Sequence, residues 1–132
     1  MKNGRSGRVL ILEDDETRCY WFQQQFSERD HDLTCDIQQA IDWLSTRDYQ
    51  TILLDHDLTE AHYYSDDHDD GATGYAIASW LAKHPERQID ATIIVHSLNY
   101  VGAQRMLDVL RAAGREAEHV PFPYLQAGIV IG

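Results

Sequence analysis

Short apolar runs alternate along the chain with segments in which apolar residues return every three or four positions. Residues 8–12 (RVLIL) and 51–54 (TILL) do not alternate with polar residues, the pattern of strands buried on both faces. Residues 92–95 (TIIV) predict a third strand of the same kind, and residues 33–35 a weaker one. A last strand is expected within 118–124. Between them, helices are expected over 16–28, with Tyr20, Phe22 and Phe26 as the apolar stripe, and after an Asp36 N-cap, with Ile37, Ala40, Ile41 and Leu44 at helical spacing. A third helix spans 74–83, carrying Tyr75, Ile77, Ala78 and Leu81 and stopped by Pro85. Asn99 is positioned to cap a fourth through Ala113, closed by Gly114, with Val101, Met106, Leu107, Val109 and Leu110 as its apolar positions. Residues 59–73 show no periodicity and read as a long loop. Five strand–helix alternations with connections too long for hairpins predict an α/β three-layer fold around a five-stranded parallel sheet.

The 132 residues suit a single domain, with a core over about 8–124 and a loop insertion over about 59–73. Eleven Lys and Arg against 22 Asp and Glu leave a net charge of −11, which disfavours binding in nucleic-acid grooves. A phosphate-bearing ligand stays possible, because a divalent cation can bridge carboxylates to phosphate oxygens. No apolar run approaches the ~18–20 residues of a membrane span, and the start MKNGRSGR has no apolar stretch, so a cytoplasmic protein is expected. Cys19 and Cys35 form no metal or disulfide framework and are expected to be small buried hydrophobes.

In a parallel α/β sheet, ligands bind beyond the carboxyl ends of the strands. Three predicted strands end there in reactive side chains: Glu13-Asp14-Asp15, Asp55-His56-Asp57 and His96-Ser97. Carboxylates from neighbouring strand ends make a hard, oxygen-rich site suited to Mg²⁺, and a cation removes the repulsion between Asp14 and Asp55.

The ordered set VLILEDDETR, TILLDHDL and IIVHS resembles the receiver domain of two-component response regulators, over about residues 8–124. The resemblance implies the receiver (flavodoxin-like) fold. It also implies an acidic pair for Mg²⁺ at Glu13 and Asp14, a phospho-accepting Asp55, a carbonyl ligand at Asp57 and a phosphoryl contact at Ser97. Receivers carry a Lys before a Pro at the end of the fifth strand, and the corresponding HVPFP (residues 119–123) has none. Leu98 replaces the usual small residue, the loop after the third strand is about eight residues longer, and the last helix is expected to be missing.

The combination LDHDL with HSLN resembles the cyclic-phosphate processing receiver family, which implies action on cyclic-phosphate-containing nucleotides or RNA ends. His56 and His96, on neighbouring strands, are expected to face each other across roughly 5 Å. Imidazole titrates near neutrality, so such a pair could share general acid and base roles in opening a cyclic phosphodiester. Asp55, His56, His96 and Ser97 are therefore the candidate catalytic residues, and Glu13, Asp14, Asp55 and Asp57 the candidate metal ligands.

Residues 55–70 carry seven acids, three histidines and no basic residue, so the loop is a solvated charge run, a lid bearing Tyr63 and Tyr64, or a second metal site. Without a last helix, Phe122, Tyr124, Leu125 and the tail over 128–132 need a cover, a homodimer contact or a partner protein. The leading functional reading is a Mg²⁺-dependent site for a nucleotide or other phosphorylated small ligand. A stand-alone regulator phosphorylated on Asp55 comes second, and a non-catalytic interaction module third.

Overall fold

The computed structural model describes residues 7–58 and 73–128. The loop residues Tyr63, Tyr64 and Asp66 to Gly71, and the tail from Ile129, lie outside them. Ten elements alternate: β1 (Val9–Leu12), α1 (Glu16–Gln25), β2 (His31–Thr34), α2 (Ile37–Thr46), β3 (Thr51–Leu54), α3 (Tyr75–Lys83), β4 (Thr92–Val95), α4 (Tyr100–Ala112), β5 (Ala117–His119) and α5 (Phe122–Gln126). All strand pairings are parallel, in the order β2-β1-β3-β4-β5.

Side chains on successive strand residues leave by opposite faces, and this splits the core in two. Leu10, Leu12, Ile52, Leu54, Ile93 and Val95 pack with α2, α3 and α4. Val9, Ile11, Leu53 and Ile94 pack with Phe22 and Phe26 of α1 and with Phe122 and Leu125 of α5. Caps end the helices where expected: Asp36 accepts from the N–H groups of Gln38 and Gln39, and Asn99 from that of Gly102. Gly114 takes φ 83° just beyond α4, the left-handed region that glycine enters without penalty.

Four sequence expectations are corrected. Tyr20 is 65% exposed, because it sits two residues, about 200° of helical rotation, from Phe22, so Trp21, Phe22 and Phe26 form the buried side. The segment after β5 is a five-residue helix opened by Pro121, not a continued strand, so a last helix exists in shortened form. That turn carries Phe122 and Leu125 into the core and leaves Tyr124 on the surface. Cys35 is exposed, and Cys19 is only half-buried, with its thiol donating to the Glu13 carbonyl at 3.5 Å.

Burial and the acids around it push the Cys19 thiol from 9.0 to about 11. A thiol-disulfide reagent at pH 8 should therefore titrate Cys35 quickly and Cys19 at least about tenfold more slowly. Equal rates would show that Cys19 is not held in this environment.

Candidate functional site

The β1 tip turns directly into α1, whose N-cap Asp15 accepts from the Arg18 N–H. This turn presents Glu13, with a fully buried side chain, to five donors. Glu13 Oε2 accepts from the N–H groups of Asp14 and Asp15, both at 3.1 Å, and from Arg18 Nη2 at 3.0 Å. Glu13 Oε1 accepts from Arg18 Nε at 3.0 Å and meets His96 Nε2 at 2.8 Å. Burial opposes the Glu13 charge, but the bonds from His96 and Arg18 more than offset it and lower its pKa to about 2. An ionised Glu13 only accepts, so His96 carries its proton on Nε2 and presents a bare lone pair on Nδ1. Complete burial lowers the His96 pKa against the pull of Glu13, so the ring is neutral and Arg18 supplies the countercharge. His96 Nδ1 is buried with no hydrogen-bond partner among the described residues.

Asp55 follows β3 and lies beside His96, because the register sets Leu54 against Val95 and the ladder continues through the His96 N–H to Leu54 O at 2.9 Å. Its Oδ1 accepts from the His56 N–H at 2.9 Å, and its Oδ2 lies 3.6 Å from Arg18 Nη2. Burial first, then the charge of Glu13, raise Asp55 to about 8, with Arg18 opposing. The same two causes raise half-buried Asp14. Donor atoms of Glu13, Asp55 and His96 lie within 4.8 Å of one another, and Asp14 is not part of that cluster.

His56 occupies the other face of the sheet. Its ring packs so closely on Gly102 of α4 that a Cβ there would stand 2.5 Å from its Cδ2. Its Nδ1 meets Asp57 Oδ1 at 2.7 Å, and Asn99 Nδ2 donates to both Asp57 oxygens at 3.3 and 3.4 Å. His96 instead lies against Phe22 of α1, ring centroids 5.0 Å apart. The two imidazoles therefore do not face each other as expected. Residues offset by one position in an in-register parallel pair leave by opposite faces.

Arg18, Asp55, Asp57, His96, Ser97, Leu98 and Asn99 line a pocket of about 70 Å³. That is about the volume of two liquid waters, on the scale of a phosphate group rather than a nucleoside. A larger hollow of about 410 Å³ lies at the opposite end of the sheet, around Pro85, Ile89 and Gly114, away from this cluster. Ser97 Oγ accepts from the Asn99 N–H at 2.9 Å, and the Ser97 carbonyl meets His119 Nε2 at 2.8 Å. Arg18 and Gly102 were not singled out from sequence. Arg18 lies five residues after Glu13, and its reach to β3 depends on the angle at which α1 leaves the sheet.

A parallel five-stranded sheet with acids at its carboxyl tips defines a receiver-type α/β domain. The family model described as "Cyclic-phosphate processing Receiver domain" matches residues 9–112, and the chain belongs to that family. No curated protein matches it. Among solved structures it is similar to the receiver domain of Francisella response regulator 1452, at 19% identity and TM-score 0.63, covering 93% of this chain and 90% of that one. It is also similar to response regulator TrrA of Thermotoga maritima in complex with Mg²⁺-BeF, at 17% identity and TM-score 0.62, covering 93% and 96%. A Burkholderia pseudomallei response regulator with a phosphorylated aspartic acid and calcium ion aligns at 14% identity and TM-score 0.65, covering 96% of this chain and 66% of that one. No helix among the described residues is long and apolar enough to cross a membrane.

Proposed function

We propose that the strand tips hold the phosphate of a small cyclic-phosphate-containing nucleotide and hydrolyse its ring. The observation that carries this reading is His96, which lines a phosphate-sized pocket, is oriented by Glu13 through Nε2 and bears a buried Nδ1 with no hydrogen-bond partner among the described residues. An orphaned buried acceptor is costly unless a ligand completes it. In the proposed step, water oxygen bonds to phosphorus as one ring P–O bond breaks. His96 Nδ1 takes a water proton and returns it to the departing sugar oxygen, so water is added and nothing else is released. His56 is assigned to support, holding Asp57 against Asn99 and α4.

Mg²⁺ fits the charge of this site. Asp14 and Asp55 both hold protons more tightly than usual, through burial and the charge of Glu13, and a cation relieves that conflict. Asp55 and the Asp57 carbonyl would hold it, joined by Asp14 from outside the Glu13–Asp55–His96 cluster, since both Glu13 oxygens are engaged. Bound there, it would neutralise charge on the phosphate oxygens.

The test is ³¹P NMR of 2′,3′-cyclic AMP with the wild-type protein and Mg²⁺. Conversion to a monoester is expected, falling about a hundredfold in His96→Gln, which keeps a donor for Glu13, and less than about tenfold in His56→Asn. No turnover, together with a phosphoryl adduct from acetyl phosphate by intact mass, would defeat this reading. It would leave the domain as a receiver phosphorylated on Asp55.

A further inference from the structure

We propose that Arg18 is the cation that receives the phosphate of the ligand, an assignment that rests on the phosphate-binding reading above. A phosphate entering the pocket meets the carboxyl groups of Asp55 and Asp57, and Ser97 Oγ already accepts from a backbone N–H. Arg18 is the one lysine or arginine among the described residues that line the pocket. No lysine stands at the fifth-strand tip: Val120 is buried in the core there, and Pro121 and the buried Phe122 come after it. The Phe122 ring lies 5.9 Å from the Arg18 guanidinium carbon and helps bed it.

The guanidinium is anchored and still has donors to spend. Its Nε and Nη2 fork onto Glu13, a bidentate clamp that fixes its plane. Arg18 Nη2 stops 3.6 Å from Asp55 Oδ2, beyond hydrogen-bond length, so that contact is electrostatic and exchangeable. Nη1 makes no hydrogen bond among the described residues, and the side chain is 28% exposed. A phosphate oxygen can therefore be received without dismantling the Glu13 clamp. Arginine suits this place because it presents five donors in a rigid fork and stays charged.

The rival role is structural: Arg18 does no more than neutralise Glu13. Inorganic phosphate, titrated into the protein with Mg²⁺ present and absent, separates the two. In ¹H–¹⁵N spectra the Arg18 Nε–H signal should shift saturably with phosphate. Arg18→Gln should weaken phosphate binding about ten- to a hundredfold. Arg18→Lys preserves charge beside Glu13 and should stay folded even if Arg18→Gln does not, while still binding phosphate at least about tenfold more weakly. Phosphate binding by the wild type with an unmoved Arg18 signal, and equal affinity in Arg18→Lys, overturns the Arg18 assignment alone. Failure of the wild type to bind phosphate under either condition overturns both this assignment and the functional reading.

Discussion

Gly74→Ala should destabilise the domain by about 3 kcal/mol, a fall of about 10 °C in Tm, and should displace the β3 tip. Gly74 has φ −59° and ψ −19°, ordinary helical values, so glycine is not required there by its own dihedrals. Gly74 is the N-cap of α3, where glycine is already preferred to alanine. Packing opposes alanine more strongly still. A Cβ on Gly74 would collide with the Asp55 carbonyl oxygen and stand 2.9 Å from its carbon and 3.2 Å from His56 Cα. These are backbone atoms of the strand tip and have no rotamer to retreat into. The Gly74 N–H to His56 O bond, 2.8 Å long, would have to open as well. At Gly102 the obstacle is the His56 ring, a side chain that can shift, so Gly102→Ala should cost less, about 1–2 kcal/mol. Urea titration of the two variants checks the order. Gly74→Ala at or above wild-type stability would mean that α3 does not press on the tip.

Asp55→Asn should stabilise the metal-free protein at pH 8 by about 2 kcal/mol, about 6 °C in Tm, and make no difference at pH 4. Asp55 holds its proton up to about pH 8, against an ordinary value of 3.8, through burial and the charge of Glu13. Between those values the native state keeps a proton that the unfolded chain releases, so stability falls as pH rises through this window. The amide is neutral throughout and can still accept the His56 N–H. Its lost attraction to Arg18 offsets part of the gain. Glu13 has the opposite sign: with its pKa lowered from 4.5 to about 2, it contributes stability above 4.5 that is lost as pH falls towards 2. Thermal melts in EDTA across pH 4–8 test the prediction, and Mg²⁺ should then stabilise wild type more than Asp55→Asn. A variant less stable than wild type at pH 8 would show that the Asp55 carboxylate is not under strain.

Two of the three interior strands, β1 and β3, were legible because their unbroken apolar runs, residues 8–12 and 51–54, admit little but a strand covered on both faces. Asp36 and Asn99 were legible as caps because their side chains act on backbone within a few residues. The run at 118–124 misled, since three apolar residues around two prolines suit a strand edge or a helical turn equally, and packing of Phe122 and Leu125 beneath α1 chose the turn. The His56–His96 pairing was read from their places at the ends of neighbouring strands, whereas sheet alternation turned the rings to opposite faces.

Local chemistry in the chain determined which residue types arrive at the strand tips, since β1, β3 and β4 end where their apolar runs end. Only the folded arrangement decided which of those groups meet: Glu13 with His96, 83 residues apart, and Arg18 with Asp55. Strand register and the exit angle of α1 set those contacts. Both are properties of packed layers that no stretch of neighbouring residues carries alone.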